Sequence, residues 1–79
     1  MHYSEMEEGF WNASHGPLRP TQIRMGRDAF LEFHNIAIEV GGFPPIHRFN
    51  GANVVIDGAL SPRTVIFEGG DPSPFQIEV

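Results

Sequence analysis

Apolar and polar positions fall into five regularly patterned segments separated by clusters of glycine and proline. Between Thr21 and Met25, Gln22 and Arg24 alternate with Ile23 and Met25, which predicts a short strand. From about Arg27 to Val40 the period becomes helical. Asp28 lies in the first turn, where negative charge suits the helix dipole, and Gly41-Gly42 supplies a stop. Asp28, Glu32, Asn35 and Glu39 form one polar stripe about 60° wide at 100° per residue. Opposite lie Phe30, Phe33, His34 and Ala37; Ala29, Ile36 and Val40 cover one flank, and Leu31 and Ile38 the other. Because this apolar arc is wider than a surface helix normally buries, the helix is expected to be covered on more than one side. A sheet together with the N-terminal arm, or a second chain, would supply that cover.

Asn53 to Asp57 and Thr64 to Glu68 are β-branched runs separated by residues 58–63, and they predict an antiparallel hairpin. After a turn at residues 69–74, Phe75, Ile77 and Val79 alternate with Gln76 and Glu78 as a final edge strand. The paired Pro44-Pro45 makes residues 43–51 a loop. Residues 1–20 mix Glu5, Glu7 and Glu8 with Phe10-Trp11 and then Gly16, Pro17 and Pro20, and are expected to form an irregular arm. The whole reads as an N-terminal arm (1–20) on a single α+β domain (21–79). Its order is β-α-β-β-β, one helix on a small, mostly antiparallel sheet.

At 79 residues, such a domain buries only about 60–65% of its unfolded surface. Cysteine is absent, which excludes disulfides and thiolate metal sites. The bare core, a His/carboxylate site or a partner surface must then supply stability. Apolar residues at 41% set the chain apart from disordered segments. No apolar run approaches the roughly 20 residues that span a bilayer. The N-terminus lacks the basic-then-apolar order of a signal peptide. Residence in a virion or a host cytoplasm is therefore expected, away from membranes.

The net charge of −5 is spread unevenly. Residues 1–14 carry three acids and no base, and residues 15–48 carry four arginines against three acids. Residues 49–79 carry four acids and Arg63. With no basic patch, the chain is not expected to bind nucleic acid. Its basic residues are all arginine, which favours bidentate pairing with carboxylates over diffuse attraction.

Catalytic and metal chemistry find little support. His2, His15, His34 and His47 show no ligand spacing, and only His34 falls on a regular element, on its apolar side. It is expected to be a hydrogen-bonded core histidine. Ser14-His15 is a sequence neighbourhood, whereas nucleophile–base pairs are assembled across a fold. Neither Gly41-Gly42 nor Gly69-Gly70-Asp71 matches a phosphate or calcium loop. No cofactor, metal or catalytic residue is expected. Phe10 and Trp11 are adjacent and cannot face the same way, so one pins the arm to the domain and the other is free for a partner. The candidate partner-binding residues are Phe10, Trp11, Leu31, Ile38, Phe43 and Ile46.

The parts from Thr21 onward run in a particular order: Ile23-Arg24-Met25-Gly26, the helix from Arg27, Phe49-Asn50-Gly51-Ala52-Asn53-Val54-Val55, Leu60-Ser61-Pro62, and Thr64 to Gly69. This order resembles a segment of the tailed-phage capsid fold and of small phage head proteins. There a short I-x-M-x strand opens a helix, a loop follows, and G-x-x-V-V and a proline turn precede an apolar strand ending in glycine. The chain lacks the long arm and long backbone helix of a capsid subunit, so the resemblance implies a small structural or accessory phage protein. The leading expectation is a non-enzymatic structural or assembly protein acting through protein–protein contacts. It would work as an oligomer or complex subunit, with itself or with a phage or host protein. The alternative is a small acidic inhibitor, of the anti-defence kind, that occupies a basic site on a host enzyme.

Overall fold

Ile23 and Met25 are fully buried while Gln22 and Arg24, which alternate with them, are half-buried. In the computed structural model, which describes residues 1–41 and 47–79, this short strand β1 (Gln22–Met25) is the centre of the sheet. It runs parallel to β3 (Ala52–Ile56), with Gln22 opposite Asn53 and Met25 opposite Ile56. On its other edge it runs antiparallel to β4 (Thr64–Glu68), with Gln22 opposite Glu68 and Met25 opposite Val65. β2 (Arg48–Phe49) pairs antiparallel with β3, and β5 (Phe75–Glu78) antiparallel with β4. The order is β2-β3-β1-β4-β5, and with helices α1 (Tyr3–Asn12) and α2 (Arg27–Gly41) the fold is α+β with a mostly antiparallel sheet.

Three features differ from the sequence expectation. First, β3 and β4 are not a hairpin, because β1 lies between them. Residues 57–63 step over the end of β1 and are tied down there. The amide of Ala59 donates to the Asp57 carboxylate (2.9 Å), that of Ala29 to the Pro62 carbonyl (2.9 Å), and that of Gly26 to the Thr64 carbonyl (2.8 Å). Crossing one intervening strand requires about 10 Å, which a connection of this length spans easily.

Second, the region expected to be a loop contributes β2, closed onto β3 by Asn50 and Gly51. Both have positive φ (48° and 86°), as a primed two-residue hairpin turn requires. Residues 43–46 of that loop, including Phe43 and Ile46, lie outside the described residues.

Third, the arm is not irregular, since residues 3–12 form α1. Met6, Phe10 and Ala13 recur at helical spacing and are buried, while Glu8 and Trp11 face outward. Glu5 accepts a hydrogen bond from the His2 amide (2.8 Å) and sits where the dipole favours an acid. The helix tolerates Gly9 in its interior because a Cβ there would lie 2.8 Å from the Phe67 ring. Gly16, Pro17 and Pro20 act only beyond its end, where His15 and Leu18 close a tight turn.

Both helices lie on one face of the sheet. Met6, Phe10 and Ala13 of α1 and Ala29, Phe33 and Ala37 of α2 join Ile23, Met25, Phe49, Ala52, Val54, Val65 and Phe67 in one apolar cluster. Every strand residue in that cluster belongs to a single alternating set, as one-sided cover demands. The other set, including Arg24, Val55, Ile66, Gln76 and Glu78, points away from both helices. Val55 is accordingly exposed, while Ile66 is screened by its register neighbours Arg24 and Gln76 without joining the core.

Candidate functional site

The adjacent aromatics of α1 divide their roles. Phe10 is 1% exposed and packs edge-on to Phe49 (6.0 Å between ring centroids), so it belongs to the core and is not available to a partner. Trp11 is 51% exposed. Its indole N–H donates to Glu7 (3.1 Å), and the Arg19 guanidinium stacks over its ring at 4.9 Å. Beside it, Leu18 is also exposed.

On α2 the buried seam is narrow, being Ala29, Phe33 and Ala37 at intervals of four. The flank opposite Ala29 and Ile36 remains open, with Leu31 53% and Ile38 36% exposed. The expected second cover is thus not supplied by the N-terminal segment. α1 instead packs against Phe49 through Tyr3 and Phe10, and against Phe67 and Ile77 at Gly9. Trp11 and the Leu31–Ile38 flank sit on separate helices.

His34 is half-buried and stacks on Phe30 (6.3 Å), but its buried Nδ1 has no hydrogen-bond partner, contrary to expectation. The Ser14 hydroxyl donates to the Phe10 carbonyl (2.8 Å), capping α1. Among the described residues no three His, Asp or Glu side chains are grouped to hold a metal, and no helix is long and apolar enough to cross a membrane.

Three of the five arginines are engaged, whereas Arg27 and Arg48 are exposed and in no ion pair among the described residues. Arg24 bridges Asp57 (2.8 Å) and Glu68 (3.0 Å) on the open face of the sheet. The bond to Asp57, strengthened by Glu68, holds its pKa above the ordinary arginine value. Arg63 pairs with Glu32 (2.9 Å), which also receives the N-terminal ammonium (3.1 Å). The Arg63 hydrogen bond, and then the ammonium, lower the Glu32 pKa below the usual carboxylate range. A depressed carboxylate adds stability above its ordinary pKa and loses it as pH falls through the folded value. Arg63→Gln should therefore shift the Glu32 titration, followed by carboxyl NMR, upward without reaching the free value, because the ammonium remains. An unmoved titration would show that the Arg63 contact does not persist in solution.

A cleft that sequence reasoning missed lies between α1 and β5, lined by Glu5, Glu8, Gly9, Asn12, Ile77 and Glu78. Nothing in the local pattern signals it, because it depends on opposite ends of the chain being neighbours. Comparison with protein-family models, curated proteins and solved structures finds no match to this chain.

Proposed function

We infer that this is a non-enzymatic structural or assembly protein of the phage type, acting through protein–protein contacts. The observation that carries this reading is the Leu31–Ile38 flank of α2, half open to water although the chain's own N-terminal helix was available to cover it. Covering the roughly half of one leucine and one isoleucine that is still exposed contributes about 1.5–3 kcal/mol, a substantial share of the net stability of a domain this small. A neighbouring subunit is the natural source of that cover. The phage setting is supported by the sequence resemblance alone.

Light scattering at micromolar concentration tests the reading. The expected result is a mass above that of one chain, falling to one chain in the Leu31→Glu/Ile38→Glu double variant with the melting temperature of the dissociated protein unchanged. A wild-type protein that stays monomeric and behaves as the double variant does would overturn it.

The acidic-inhibitor reading is favoured by a different observation. Arg24 and Arg63 are neutralised within the chain, and Arg19 is turned onto backbone carbonyls and Trp11. The charge left facing outward is thus mostly negative. Tight one-to-one capture of a basic host enzyme, weakening steeply with salt, would support that reading over the first.

A further inference from the structure

The two edges of the sheet are not equivalent. β2 is two residues long, one of them the buried Phe49, so it offers little to an incoming strand. β5 is four residues long and pairs only with β4. The Val79 amide donates to the Arg63 carbonyl (2.9 Å), which makes Val79 a hydrogen-bonded partner of Arg63. In an antiparallel ladder such pairs recur at every second residue, so Ile77 and Phe75 also direct their backbone groups at β4. The N–H and C=O groups of Gln76 and Glu78 consequently point away from the sheet. Among the described residues neither makes a backbone bond on that side.

Alongside this open edge lies the cleft between α1 and β5. Its volume is about 170 Å³, below the roughly 300–1,000 Å³ of small-molecule sites, so it fits side chains of a polypeptide better than an organic ligand. Ile77 and Gly9 provide an apolar part, and Glu5 and Glu8 an acidic rim, while Glu78 turns its carboxylate to the open face of the sheet, where it accepts from the Thr64 hydroxyl (2.7 Å). Glu5 accepts from the His2 amide (2.8 Å), but none of Glu5, Glu8 and Glu78 is in an ion pair among the described residues.

We propose that this edge and cleft form a second contact site, distinct from the α2 flank, which takes an extended segment of a partner protein as a sixth strand on β5. The segment alternates lysine or arginine with an apolar residue. Main-chain bonds to Gln76 and Glu78 supply affinity, as in β-strand addition generally, and the carboxylates, Glu5 and Glu8 beside the cleft and Glu78 on the open face, select for basic side chains. The same charges disfavour a second copy at this edge. Antiparallel self-pairing would bring two Glu78 side chains and two acidic rims together, and like charges across strands are destabilising. The proposal deepens the protein-contact reading and rests on it.

The probe is the hexapeptide Lys-Val-Lys-Val-Lys-Val, added to ¹⁵N-labelled protein and followed by amide shifts. The expected result is saturable perturbation centred on Gly9, Gln76 and Glu78, absent with Glu-Val-Glu-Val-Glu-Val. It should also vanish when alternate peptide nitrogens are methylated, which keeps the charge and removes the strand's donors. Glu8→Gln/Glu78→Gln should weaken binding by about threefold to tenfold, as loss of two exposed pairs implies. Gln76→Pro removes an outward N–H without removing a bond to β4, and should abolish the response.

Leu31→Glu/Ile38→Glu should leave peptide binding unchanged, which separates this site from the assembly surface. Equal binding of the methylated peptide, perturbation confined to other surfaces, or no response at millimolar peptide each overturns the proposal. Concentration-dependent shifts of the Gln76 and Glu78 amides without peptide overturn it as well, since they would mean that a second copy occupies the edge. A protein that self-associates through α2 yet ignores the peptide refutes the edge site and leaves the assembly reading standing.

Discussion

Replacing Phe49 with alanine is expected to remove a large part of the protein's stability, because one ring ties three elements together. Phe49 is 4% exposed, and its centroid lies 5.5 Å from Tyr3, 6.0 Å from Phe10 and 5.8 Å from Phe33, all in edge-on arrangements. Those partners come from both helices, so the void would open where α1, α2 and the β2–β3 hairpin meet. Truncating a buried phenylalanine costs about 3–5 kcal/mol. A chain of 79 residues has about 4–12 kcal/mol in total at typical stability per residue. The urea midpoint of Phe49→Ala should fall by a third or more, with early loss of amide protection in α1. A loss below about 1 kcal/mol would mean that the two helices do not share this contact.

The second large effect is expected at Gly26, where the chain leaves β1 and enters α2. A Cβ at this position would lie 2.0 Å from the Ser61 carbonyl oxygen and 2.8 Å from the Pro62 carbonyl carbon and oxygen. All of these are backbone atoms, so no side chain can swing aside to relieve the clash. The same contact is clamped by the bonds from Gly26 to Thr64 (2.8 Å) and from Ala29 to Pro62 (2.9 Å). Gly26→Ala must push the 61–64 segment away and strain or break both, for a loss of about 2–4 kcal/mol. Gly58→Ala is the control, since nothing lies within 4 Å of its added methyl. Thermal melts of the two variants should differ by many degrees, and coincident melts would show that the junction is loose.

Some of this architecture was legible in the residues and some was not, for identifiable reasons. α2 was legible because its polar stripe is narrow and unbroken, and that narrowness also marked Leu31 and Ile38 as residues lacking cover. β4 and β5 followed from their β-branched and alternating patterns. α1 was obscured because the glycine and prolines of residues 16–20 coloured the whole N-terminal segment, although Met6, Phe10 and Ala13 already kept helical spacing.

Strand order was the deeper difficulty. Alternation reports which face a residue occupies and says nothing about which strand lies next to it. Sequence proximity favoured pairing β3 with β4, whereas the true hairpin was announced by Asn50-Gly51, the residue pair best suited to a primed turn. The split between Phe10 and Trp11 could be read in advance, but the α1–β5 cleft could not, since no local pattern links the two ends of the chain.

The placement of β1 also fixes the sequence of events during synthesis. Its strand is made early, yet its two neighbours, Ala52–Ile56 and Thr64–Glu68, leave the ribosome only after the whole of α2. Until then Ile23 and Met25 have no strand on either side, and a chain that has reached residue 60 still lacks β4. Closing such distant contacts is entropically slow compared with helix packing. For much of its emergence, then, the nascent chain carries a β-forming segment with both edges unpaired, the kind of exposure that draws chaperones and favours aggregation.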